Sequence, residues 1–214
     1  MKTLPSPSTE EVDALVRPIT LKLPVPLNDE AMLWLSANNK TFGFEQTAEG
    51  FLVVSPPTNS PGNRGELRLV TQLMVWNDRT NFGEIRGIEG GVELPKGGKR
   101  EPDAFAVAGA TWSALPIDDR KKGYVPVLPN AIFELLSPKN VTTKGYTIEF
   151  QTTLDDYNRS EVPLVVLLDP RIEHALEKRP GKPWVFRPEK ILTFRELPGL
   201  ELDVGIIYWA CNNP

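Results

Sequence analysis

With 214 residues, 40% of them apolar and 24% charged, the chain has the balance of a globular protein large enough to bury its own core. Its net charge of −4, from 24 basic and 28 acidic side chains, argues against tight non-specific binding to nucleic acid but leaves room for a local basic patch. One cysteine, Cys211, and one histidine, His174, exclude an internal disulfide, a cysteine-rich zinc site and a multi-histidine centre, leaving carboxylate-only metal chemistry open.

The longest apolar stretches, such as Val162 to Leu168, are far too short to span a bilayer. The N-terminus has no apolar core of signal-peptide length, so a cytoplasmic location without membrane association is expected. Five prolines between Pro5 and Pro26 predict an irregular arm, loosely ordered over residues 1–12. Asn28-Asp29-Glu30 is a helix start, with Asn as the cap and two acids at the positive end of the dipole. The helix runs to about Asn38. Glu45 to Val54 reads as a hairpin turning at Glu49-Gly50. From Asn63 to about Thr80, two apolar stripes recur at helical spacing: Leu67, Val70, Met74 and Leu69, Leu73, Trp76.

Residues 83–86 and 90–94 read as a strand pair, and 103–108 as the next strand. Thr111 to Leu128 is mostly polar and reads as loop with one short helix. Ala131 to Leu136 is a strand, Thr147 to Arg159 a helix, and Val162 to Leu168 a strand buried on both faces. Short strands follow at 175–176, 184–186 and 200–204. This order predicts an α/β fold: a mixed β-sheet flanked by α-helices, with additional N- and C-terminal β-strands, in a single domain over residues 1–214. The five tryptophans read as packing residues, His174 as a surface residue and Tyr157 as a helix packing residue.

Two carboxylates stand out. Asp103 opens the run Ala104-Phe105-Ala106-Val107, and Glu134 lies inside Ile132-Phe133-Glu134-Leu135-Leu136. A carboxylate within an apolar run is costly to bury alone. Two on adjacent strands can share a hard divalent cation such as Mg²⁺, which can activate water against a phosphodiester. Lys96, Lys99 and Arg100, just before Asp103, form the best candidate basic patch for nucleic acid. Their plainer reading is a solvated loop.

Several segments, in order, resemble the Uma-type restriction endonuclease family of the PD-(D/E)xK superfamily. They are Glu45 to Leu52, Pro56-Pro57-Thr58 with Gly62-Asn63-Arg64, Arg100 to Ala104, Phe133 to Pro138, Leu154 to Tyr157 and Val165 to Pro170. The resemblance implies a restriction-endonuclease-like core and cleavage of DNA dependent on Mg²⁺ (or Mn²⁺). Asp103 and Glu134 would ligate the metal, with Glu45 or Glu66 completing the acidic cluster. A homodimer is expected, because cutting both strands of a duplex favours two-fold symmetry. The chain departs from the family at the lysine. Leu136 stands where the strict motif has it, and Thr153 where the family often moves it, within Gln151 to Tyr157. Either Lys139 or Lys144 substitutes from the loop after Glu134, or the chain is a catalytically impaired relative that binds nucleic acid or protein.

Overall fold

The computed structural model describes residues 17–56, 60–87, 90–137, 140–142 and 145–213. The expected N-terminal arm over residues 1–12, Lys139 and Lys144 lie outside the described residues.

The molecule is mixed α/β, with two six-stranded sheets among the described residues. The first holds, in spatial order, β1 (Ile19–Leu21), β3 (Leu52–Ser55), β2 (Gly43–Gln46), β6 (Lys99–Arg100), β5 (Gly91–Glu93) and β8 (Tyr124–Pro126). The second holds β14 (Val185–Arg187), β13 (His174–Lys178), β12 (Val165–Asp169), β9 (Ala131–Leu135), β7 (Ala104–Ala108) and β4 (Gly83–Gly87). The strand pair expected at 83–94 is therefore two separate strands. β4 pairs with β7, whereas β5 pairs with β6 and β8 in the other sheet. Local sequence pattern specifies a strand but not its partner.

Two short strands, β10 (Val141–Thr142) and β11 (Gly145–Tyr146), pair with each other; in the second sheet β9 and β12 run parallel, and β7 lies antiparallel to β9. The period of two in side-chain direction divides these strands between two cores. Ala104, Ala106, Phe133, Leu135, Val166 and Leu168 face one core; Phe105, Val107, Ile132, Leu136, Val165 and Leu167 face the other. The first core is covered by helices α2 (Ser60–Thr80) and α6 (Val204–Asn212), with the hairpin β15 (Ile191–Phe194) and β16 (Leu197–Asp203). The second is covered by α5 (Ile148–Arg159) and by Val92 and Val125 of the first sheet. Helix α1 (Asp29–Asn38) closes a smaller core with Met32 against Phe44, Leu52 and Tyr124.

Most helix boundaries follow the local signals. Asn28 caps α1 by accepting from the Ala31 N–H, and Thr147 caps α5 by accepting from Phe150. Gly50 supplies the positive φ of 84° in the turn between β2 and β3. Of the two stripes on α2, Leu69, Leu73 and Trp76 are buried, while Leu67 and Met74 are exposed. The segment expected to be loop carries two short helices, α3 (Gly109–Ala114) and α4 (Ile117–Arg120), and then β8. Helix α6 is not anticipated by its sequence, because Ile206-Ile207-Tyr208-Trp209 is rich in strand-favouring residues. Asp203 caps it by accepting from Ile206, and the apolar face of α2 receives it. The contact is close. A Cβ at Gly65 would come within 2.3 Å of Cys211 Sγ and 2.6 Å of a Leu135 methyl. Among the described residues no helix is long and apolar enough to cross a membrane.

Candidate active site

The site is built on the edge where β7 begins and β9 ends. Ala104 pairs with Phe133 and Phe105 with Ile132, so one step further the register sets Asp103 level with Glu134. Alternation puts Asp103 on the face of Phe105 and Val107, and Glu134 on the face of Ile132 and Leu136, which is the same face. Both residues line one cavity of about 340 Å³.

Hydrogen bonds fix each carboxylate. The Leu135 N–H donates to Asp103 Oδ2 at 2.5 Å, tying the start of β7 to the end of β9. Glu134 is 9% exposed, and the Tyr157 hydroxyl donates to its Oε1 at 2.5 Å. Such a charge-assisted bond makes a nearly buried carboxylate tolerable. Burial and the Glu134 charge push the Tyr157 phenol well above the ordinary tyrosine range, so it remains a neutral donor at any working pH.

The wall carries further carboxylates: Glu45 from β2, Glu66 from α2, Glu101 before β7 and Glu149 from α5. Glu101 Oε1 accepts from the Tyr124 hydroxyl at 2.6 Å. Glu45 Oε1 accepts from the Glu101 N–H at 2.9 Å, and Glu45 Oε2 meets Arg100 at 3.1 Å. Cys211 reaches the same cavity from α6. Burial, with the Glu66 and Asp103 charges beside it, pushes its thiol up to about 11.

Arg100 corrects one expectation. It was a candidate phosphate contact, but it is 0% exposed and has no surface to offer a nucleic acid. Its guanidinium meets Asp156 Oδ2 at 2.6 Å as well as Glu45, so it clamps α5 to the first sheet. Lys99 is also buried, against Asp29 at 3.0 Å and Glu93 at 3.3 Å. Of the three, only Lys96 projects into solvent, beside an equally exposed Glu161 at 3.2 Å. The three charges do not form one patch.

A family model described as "Uma2: Putative restriction endonuclease" matches residues 31–205. The chain belongs to the Uma2 family. The fold is shared with a solved structure described as "a putative nuclease belonging to DUF820", from Anabaena variabilis. The two align with a TM-score of 0.68 over 87% of this chain and 99% of that chain, at 14% sequence identity. No curated protein matches the chain in sequence. The resemblance drawn from the motifs is borne out for family and for fold.

Against the Uma2 pattern, Thr153 stands on the wall of the cavity, and its hydroxyl donates back to the Glu149 carbonyl at 3.2 Å. A hydroxyl at this position brings no positive charge. Among the described lining residues the basic side chain is Arg171, just past the end of β12. Sequence reading missed Arg171 and underrated Tyr157. The signal for Arg171 was available: β9 and β12 were both read as buried strands, and the loops after parallel strands open at one end of a sheet. The bond from Tyr157 to Glu134 spans two elements and has no local signature.

The donors fit a hard cation in type, since they are carboxylate oxygens with no histidine among them. They do not fit a threefold protein cage. Among the described residues no group of three or more carboxylate, histidine or cysteine side chains is gathered closely enough to hold one ion. Glu66 lines the cavity without joining Asp103 and Glu134 in such a cluster. What fits is a cation that keeps several waters and takes one or two carboxylates, which is the habit of Mg²⁺.

Proposed function

We propose that this Uma2 chain is a divalent-metal-dependent DNA endonuclease, acting as one domain over residues 1–214 and as a homodimer in the cytoplasm. The observation that carries the reading is the β7–β9 register, which sets Asp103 level with Glu134 on one face, at the wall of an acidic cavity. The family description and the nuclease name of the Anabaena protein support it.

In this reading Asp103 and Glu134 hold Mg²⁺ or Mn²⁺. The bound ion would supply Lewis-acid activation of water and of the phosphoryl oxygen. Tyr157 keeps Glu134 turned into the cavity, and the Leu135 N–H does the same for Asp103. Lys139 or Lys144, which follow Glu134 closely in sequence, would supply the ammonium that Thr153 lacks.

A second reading is favoured by Thr153 itself: a nuclease-fold protein with impaired chemistry that binds nucleic acid or protein. Incubation of supercoiled plasmid with Mg²⁺ or Mn²⁺ separates the two. The nuclease reading expects nicked or linear product from the wild type and none from Asp103→Ala. Equal product from both proteins would trace cleavage to another source. No product with either metal would leave the second reading.

A further inference from the structure

The parallel strands β9 and β12 end side by side. Leu167 pairs with Glu134 and Leu168 with Leu135, so Asp169 and Arg171 follow on the same edge as Leu136 and Ser137. In open sheets with parallel strands, ligands bind outside the carboxyl ends of those strands. Arg171 lines the cavity there, with its side chain 48% exposed.

The guanidinium is held in one plane. Asp169 Oδ1 accepts from Arg171 Nε at 2.9 Å and Oδ2 accepts from Nη2 at 2.6 Å, while Oδ1 also accepts the Arg171 backbone N–H at 3.0 Å. Asp169 is nearly buried at the strand end, so it acts as a fixed bracket. An arginine has five N–H donors in a rigid fork, and this chelate engages two of them. The opposite edge, with Nη1, is directed away from Asp169. That edge can take two oxygens of a phosphate, a geometry a lysine cannot copy.

Asp169 needs the pair because a carboxylate buried alone is costly, and the chelate still leaves Arg171 half-exposed on the cavity wall. A phosphodiester entering this cavity meets a wall that carries several carboxylates and, among the described lining residues, one basic side chain, Arg171. Thr153, on the wall from α5, brings no charge.

We propose that Arg171 is a phosphate contact of this site, gripping the backbone of a bound nucleic-acid strand beside Asp103 and Glu134 while Asp169 fixes its orientation. The inference rests on the nuclease reading and adds to it a phosphate-binding group on the β12 side.

The test measures binding of a fluorescein-labelled DNA duplex by anisotropy in Ca²⁺, over a range of KCl concentrations. Arg171→Ala should weaken binding about tenfold, equivalent to about 1.4 kcal/mol. It should also flatten the slope of log affinity against log salt by about 0.9, the share of one neutralised phosphate. Arg171→Lys should keep the slope, because it keeps the charge, and circular dichroism should give both variants the wild-type fold. An Arg171→Ala protein with wild-type affinity and slope overturns the inference and leaves the nuclease reading standing. So does an Arg171→Lys protein that loses the slope. A wild type that binds no duplex also overturns it; if that protein fails to nick plasmid as well, the nuclease reading falls with it.

Discussion

The Tyr157 hydroxyl donates to Glu134 Oε1 at 2.5 Å, joining the middle strand of the second sheet to the helix that covers it. Two residues distant in sequence thus make one unit, an acid and the group that orients it. Tyr157→Phe removes the hydroxyl and little else. A lost hydrogen bond to a charged group should cost about 1.5–3 kcal/mol in urea unfolding. Cleavage should fall about 10–100-fold, the usual range when a group orienting a metal ligand is removed. Millimolar Mg²⁺ should raise the thermal-melt midpoint of the wild type, and raise it less in the variant. Wild-type nicking and an undiminished Mg²⁺ effect would show that Tyr157 serves packing alone.

Thr153→Lys places an ammonium on the cavity wall. The position suits it: lysine is a good helix former, and Glu149 sits four residues earlier on α5 in the favourable order for an ion pair. If neither Lys139 nor Lys144 supplies the charge, plasmid nicking should rise about a hundredfold over the wild type, the lower end of what a general acid–base group contributes. Alanine at Lys139 or Lys144, whichever supplies the charge in the wild type, should abolish nicking while metal-linked stabilisation persists. Robust nicking by the double alanine variant would refute the substitute lysine.

Arg100→Met should destabilise the fold by about 3–5 kcal/mol, since it strands the buried Asp156 and the partly buried Glu45 without their cation. Guanidinium denaturation measures this directly. Adding Asp156→Asn and Glu45→Gln should recover much of the loss, because the penalty lies in the uncompensated charges. Loss of less than about 1 kcal/mol in the single variant would mean that the cluster is not closed to water.

Glu196 gives the fold an acid-sensitive contact away from the cavity. Burial opposes its charge, but hydrogen bonds from Arg179 and Arg195 outweigh burial and bring its pKa down to about 2 from 4.5. A depressed native pKa contributes stability that is complete above the unfolded value and is lost as pH falls through the native one. The contribution should therefore fade between about pH 4.5 and 2. Glu196→Gln should lower stability at neutral pH and flatten the decline over that window in melts taken at stepped pH. Parallel curves for variant and wild type would exclude the linkage.

Much of this protein was legible without coordinates. The helices at Asp29–Asn38, Ser60–Thr80 and Ile148–Arg159, the β2–β3 hairpin, and the strands carrying Asp103 and Glu134 follow from apolar period, caps and turn residues. Those are interactions over a few residues, and local pattern determines them. The family, too, was readable from motifs in order. The tertiary structure decided what depends on distant partners. Arg100 looks like part of a solvated basic run until Asp156, 56 residues later, buries it. Residues 83–94 look like a hairpin until each strand finds a different sheet. Val204–Asn212 carries strand-favouring residues and no helix is read there from sequence, but the face of α2 receives it as a helix. Tyr157 looks like an ordinary packing residue until α5 brings it to Glu134, and Arg171 carries no signal until the parallel pairing of β9 and β12 sets it on the wall of the same cavity. Burial and charge pairing are properties of the assembled layers, and a single strand or helix does not contain them.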